Sequence, residues 1–186
     1  MFAKLKELPE VQQNHLYTSS VENLEVFLDF EVDILKENLS ILGLDITNIY
    51  YDISYSQGSG ACFTGSYKYK KGWKKLLTSA GLSEEAFTEL SAIGNTLQAI
   101  QKKYFYGLRS TISHTSRNCH ENSMTIEVMD VRDSYDCTIG GEPEEVIEQC
   151  FIEVAQYIYT VLENSYKHQT SFETFLYLYG EETFEI

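Results

Sequence analysis

Proline is scarce: Pro9 and Pro143 are the only two in 186 residues. That excludes a proline-rich linker, and no stretch of biased composition marks a boundary, so one domain over 1–186 is expected. No apolar run approaches the roughly 20 residues that a membrane helix needs. The opening "MFAKLKELPE" lacks the apolar core and small-residue cleavage site of a secretory signal. Cys62, Cys119, Cys137 and Cys150 include no CxxC pair. The expectation is therefore four reduced thiols in a cytoplasmic protein, with no metal and no cofactor. Cations are few as well, 14 Lys and Arg against 28 Asp and Glu, for a net charge of −14. Such a chain is repelled by phosphate backbones and by itself predicts no direct nucleic-acid partner and no membrane. The excess acid either keeps a monomer soluble or offers a face to a basic partner protein.

What is present is periodic. "SSVENLEVFLDFEVDILKENLSILGL" predicts a long helix, with Ser19 and Glu22 at capping-box spacing, Leu24, Phe27, Leu28, Leu35, Leu39 and Leu42 facing a core, and Gly43 as the stop. The period then changes to two. In "NIYYDISYS", Ile49, Tyr51 and Ile53 alternate with Tyr50, Asp52 and Ser54; in "ACFTGSYKYK", Phe63, Tyr67 and Tyr69 oppose Cys62, Thr64, Ser66 and Lys68. Joined by "QGSG", the two runs read as an antiparallel hairpin. A short helix near Gly72–Ala80 carries Trp73. "LSEEAFTELSAIGNTLQAIQKK" is a helix capped by Ser83. A second hairpin follows, with Tyr106, Leu108 and Ile112 on one face and Arg109, Thr111 and Ser113 on the other, returning through "SMTIEVMD". The last long helix has Pro143 in its first turn and Val146, Cys150, Val154, Ile158 and Val161 inward; a segment with Phe172, Phe175 and Leu176 ends the chain. The order αββααββαα predicts an α+β fold: an antiparallel sheet of about four strands from two hairpins, covered on one face by helices.

The stretch "SQGSGACFTGSY" is the first place to look for chemistry. A glycine-rich loop cradles an anion when it opens a helix, but this one leads into a strand and has no phosphate-loop lysine. A turn with positive φ at Gly58 or Gly60 accounts for its glycines, and Gly65 within the strand marks a bulge or a close backbone approach. Cys62 is a candidate nucleophile, with His114 or His120 as base, provided an electropositive pocket lowers its pKa. His114, Cys119 and His120 raise a zinc question, but they lack the spacing of a structural site, and a polar loop explains them. Tyr50, on the polar strand face, suits an interface.

The segments "LGLDITNIYYDISYSQGSGACFTGSYKYKKG", "LQAIQKKYFYGLRSTISH" and "ENSMTIEV" resemble phage and mobile-element proteins labelled antitoxin of toxin–antitoxin stability system, N-terminal. Their hallmark is an aromatic-Ser-Gln-Gly-Asp-Gly-Ala-Cys/Ser-Phe run. It is matched by Tyr55, Ser56, Gln57, Gly58, Gly60, Ala61, Cys62 and Phe63, and by Gly65 two residues on, with Ser59 in place of Asp. The resemblance implies a protein, monomer or homodimer, that neutralises a toxin or host-defence effector, such as a nuclease, by direct binding. The candidate binding residues are Tyr50, Tyr55, Ser56, Gln57, Ser59, Cys62, Arg109 and His114. The rival expectation is a small-ligand module or hydrolytic enzyme built round Gln57, Cys62 and His114.

Overall fold

A computed structural model describes residues 2–21, 28–54, 58–132 and 138–185. In chain order the elements are β1 (Phe2–Lys4), α1 (Glu10–Val21), α2 (Asp29–Ile41), β2 (Leu44–Asp52), β3 (Gly60–Lys68), α3 (Trp73–Ser79), α4 (Glu84–Lys103), β4 (Leu108–His114), β5 (Met124–Asp130), α5 (Glu142–Gln169), α6 (Phe172–Tyr179) and β6 (Thr183–Glu185). The fold is α+β, with an antiparallel four-stranded sheet ordered β2-β3-β4-β5. The chain divides into two compact units, one of residues 1–30 and 162–186, the other of 31–161.

The first unit pairs β1 with β6, Phe2 opposite Glu185 and Lys4 opposite Thr183. Its core is Leu5, Leu8 and Phe175, with Leu16, Tyr17, Phe172, Leu176 and Tyr179 against them. Tyr17 donates its hydroxyl proton to the Thr170 carbonyl at 2.7 Å and sets its ring edge-on to Phe172, 5.2 Å between centroids. Ser171 caps α6 by accepting from the Thr174 amide. One expectation fails in this unit. Ser19 lies inside α1 rather than at a helix start, because the helix begins at Glu10, where the Pro9 carbonyl accepts from Gln12 and Gln13. "EVQQNHLYTSSV" carries no continuous apolar stripe, so periodicity did not reveal it. Glu22, Leu24 and Phe27, also assigned to the single long helix, lie outside the described residues.

In the second unit the alternation holds. Leu108, Ser110 and Ile112 on β4 are buried, and Arg109, Thr111 and Ser113 are exposed. Phe63 and Tyr67 on β3 set their rings against Phe151 of α5, at 6.1 and 5.6 Å. The α5 stripe is wider than predicted: Cys150, Val154 and Ile158 are buried as expected, but so are Ile147 and Phe151, while Val146 and Val161 are half-buried. A row spaced strictly by four drifts around a helix of 3.6 residues per turn, so a sheet-facing stripe takes side chains from both sides of it. Gln101 at the end of α4 is wholly buried. Its side chain donates to the Leu108 carbonyl at 2.8 Å and accepts from the Leu108 amide at 3.2 Å, satisfying the first residue of β4 as a neighbouring strand would.

Tyr106, predicted to share a strand face with Leu108, is a correction. It lies in the α4–β4 turn, with φ of +63°, and its neighbour Phe105 has φ of +49°. The strand begins after Gly107 because the Tyr106 amide is already committed to the Gln101 carbonyl at 2.7 Å.

Candidate functional site

The residues singled out from the sequence fall at two ends of the sheet. Tyr50, Ser59, Cys62 and His114 gather at one end. Cross-strand partners share a face, and Tyr50 lies opposite Cys62. The Tyr50 ring, 38% exposed, sits 5.0 Å from the His114 imidazole. Ser59 is half-buried, its hydroxyl 3.4 Å from that of Ser54. Arg109 lies at the opposite end, between Lys68 and Met129. Five residue steps along β4 separate it from His114, about 17 Å at the usual rise. Tyr55, Ser56 and Gln57 lie outside the described residues.

Cys62 is on the polar face of β3, as its alternation predicts, yet its exposure is 0%. The cause is the loop between β4 and β5, which folds back over this strand. The Cys119 carbonyl and the His120 backbone press so closely on Gly60 that a side chain there would meet them. The Ser123 hydroxyl bonds the Cys62 thiol, and the Phe63 amide points to the Met124 sulfur at 3.4 Å. Burial pushes the Cys62 thiol pKa up, with the Ser123 bond opposing it only in part. That is the reverse of what activates a nucleophile.

Neither histidine is placed to help. His114 donates from Nε2 to the Asn118 carbonyl at 3.0 Å. His120 turns Nδ1 to the Asn122 amide, at 3.2 Å, and so caps a short helical turn at Glu121–Ser123. Among the described residues no three His, Cys, Asp or Glu side chains are grouped to hold a metal ion. The part of "TSRNCHEN" that lids Cys62 is its second half, where Cys119 and His120 lie against Gly60 and His120 caps the turn that follows.

Labelling of the native protein with a thiol-reactive dye, in a Cys137→Ser background, follows from this burial. Cys119, half-buried, reacts first, while Cys62 and Cys150 react only on unfolding. A Cys62 that labels as fast as a free thiol would return the hydrolytic reading to contention.

Cys150 gives a pH dependence. Burial, and then the charge of Glu153, push its thiol from 9.0 up to about 12. A raised folded-state pKa contributes stability that is intact below the unfolded value and is lost as pH rises through the window from 9 to about 12. At pH 10 the loss from this group is on the order of 1 kcal/mol. Urea unfolding at pH 7 and pH 10 measures it, and Cys150→Ala removes this part of the dependence.

Two features escaped the sequence reading. One is the aromatic turn "KKYFYG", which alternation absorbed into a strand. The other is the concentration of acid on the helices. Over residues 84–101 and 142–161, α4 and α5 carry eight glutamates and no Lys or Arg. Burial, and after it the charge of Glu153 on α5, raise the Glu89 pKa on α4.

The architecture is that of an α+β domain with an acidic helical layer and a lidded hairpin end. The sequence pattern of a domain of unknown function, DUF8835, matches residues 27–172, and the chain belongs to that family. This overturns the resemblance to toxin–antitoxin stability proteins: the family that covers "SQGSGACF" and its flanks is DUF8835, and no toxin–antitoxin family matches. No curated protein and no solved structure matches the chain. Among the described residues no helix is long and apolar enough to cross a membrane.

Proposed function

We propose that this chain is a non-catalytic domain that acts by direct contact, its acidic helical layer occluding the basic working surface of a partner protein. The observation that carries the reading is the run of eight glutamates on α4 and α5 over residues 84–101 and 142–161, of which Glu142 alone has an ion-pair partner among the described residues, Lys103. Like charges held together in the free protein are a cost that a cationic partner removes on binding, and their field steers such a partner in. A nuclease with a basic nucleic-acid channel is the partner class this surface suits, and occluding that channel would neutralise it. The mobile-element setting is not part of the proposal, because it rested on the antitoxin resemblance. The small-ligand or hydrolytic reading has no comparable support, since Cys62 is lidded and its thiol is held protonated.

The test is quantitative capture from source cells at low salt with three baits: the native chain, Cys62→Ala, and Glu89→Lys combined with Glu153→Lys. Binding by contact predicts the same partner on the first two and its loss on the third. Retention by the charge-reversed bait with loss on Cys62→Ala would sink the reading, as would no partner on any bait. A related expectation needs no partner: Glu89→Gln raises the melting temperature of the free protein, because it removes a carboxylate whose charge burial and Glu153 disfavour.

A further inference from the structure

The net charge of −14 conceals an uneven distribution. At the sheet end away from Tyr50 and His114, β3 leaves at Lys68, β4 enters at Leu108 and β5 leaves at Asp130. The segments "KYKKGWKK" (68–75) and "KKYFYGLR" (102–109), with Arg132, hold nine of the fourteen cations, and the two segments contain no Asp or Glu. Lys68 and Arg109 are register partners on the exposed sheet face. Two of the nine are neutralised nearby, Lys103 by Glu142 at 2.5 Å and Arg132 by Asp130. The other seven make no ion pair among the described residues.

Aromatic rings stand among these cations. Phe105 is 76% exposed, with the Arg132 guanidinium 5.0 Å from its ring centre. Tyr106 is 45% exposed and lies 4.5 Å from Tyr69, their rings inclined by 38°. Both Phe105 and Tyr106 adopt positive φ, a backbone that bulky side chains rarely occupy and that persists only where the surroundings impose it. Here the surroundings are the bonds from the Tyr106 amide to the Gln101 carbonyl, at 2.7 Å, and from the Gly107 amide to the Tyr104 carbonyl, at 2.9 Å. The strain holds an apolar ring out in water, where it contributes nothing to the core.

We infer that this end of the sheet binds single-stranded nucleic acid. Bases stack on Phe105 and on the Tyr69–Tyr106 pair, while Lys68, Lys71, Lys102 and Arg109 receive the phosphates; Lys70 is already committed to the Ser40 carbonyl at 3.0 Å. Flat rings beside unpaired cations are what an unstacked base with its phosphate recognises. A duplex keeps its base faces covered and extends its backbone over the acidic remainder of the protein. An acidic peptide satisfies the cations and leaves the rings without a purpose.

The experiment is fluorescence anisotropy on the intact protein, with labelled oligothymidylate and oligouridylate of about twelve nucleotides as probes, in about 50 mM salt. Both arms are run because the stacking surface itself does not choose the sugar. Binding is expected to weaken steeply with salt, a log–log slope of about −3 corresponding to four phosphate contacts. Phe105→Gly relieves the backbone strain, so its melting temperature holds or rises while binding weakens about tenfold or more. The exposed Arg109→Glu weakens binding with the aromatic turn intact, a second measure that does not depend on how the turn tolerates substitution. Three outcomes overturn the inference: no binding of either oligonucleotide, a duplex bound as tightly as the single strands, or polyglutamate bound equally well with Phe105→Gly without effect. The last would make the end a docking surface for acidic proteins.

Discussion

Phe151→Ala is expected to lower the stability of the 31–161 unit by about 3–5 kcal/mol. Phe151 has no exposed surface. It stands on α5 at the point where the central strand β3 presents Phe63 and Tyr67, and it meets both rings edge-on, at interplanar angles of 66° and 73°. Each such pair contributes about 0.5–1.5 kcal/mol beyond the area it buries. The consequence spreads because Gln101, which lies beside Tyr67, satisfies both backbone groups of Leu108. Removing the Phe151 ring leaves a cavity that β3 and β4 fill only by shifting, and a shift strains the Gln101 bonds. Urea denaturation measures the loss as a lowered midpoint with an unchanged slope. Phe151→Leu, which keeps most of the volume, should cost less than half as much. A loss below about 1 kcal/mol on the alanine change would mean that α5 does not close the sheet as described.

The readable parts of this fold are those where one local rule dominates. Ser83 caps α4 by accepting from Ala86, and the Ser83–Glu84–Glu85 signature stated as much. Both hairpins show alternation because each strand has one buried face, and a pattern of period two has only one register that hides it. What could not be read depends on distant neighbours. Cys62 is polar-facing by alternation and buried in fact, since its cover comes from residues 119–123, far along the chain. The α1 helix is hidden because its apolar contacts, Leu16 and Tyr17, are two residues in a polar run. β1 and β6 are three residues each and pair across the length of the chain, below any period that a window detects. The charge total of −14 describes the chain on average, while nine cations lie in residues 68–75 and 102–109 and at Arg132, a clustering that a sum does not show. Tyr50 and His114 were chosen separately and do meet, whereas Arg109, chosen with them, lies at the other end of the sheet.

Gly65→Ala carries the second large effect, about 3 kcal/mol or more, and its origin is steric. The sequence marks Gly65 as a bulge or a close approach, and both occur. Opposite it, β2 slips register between Ile46 and Asn48, leaving Thr47 as the extra residue. That bulge drives the Asp45 carbonyl to where a Cβ on Gly65 would stand, and Gly65 itself has φ of +157°. An alanine therefore collides with backbone, which cannot rotate aside as a side chain does. The slip also has a purpose within the fold, because it returns Ile49 and Tyr51 to the face already occupied by Leu44 and Ile46. Without it the two halves of β2 would present their apolar residues to opposite faces of the sheet. Opening the β2–β3 ladder to admit a methyl group exposes the Asp45–Asn48 backbone. Amide exchange in Asp45–Asn48 and Thr64–Ser66 should accelerate by far more than in β5, two strands away. Uniform acceleration across the sheet would place the damage in global stability instead, and an unchanged exchange pattern would show that the carbonyl and the glycine are not in contact.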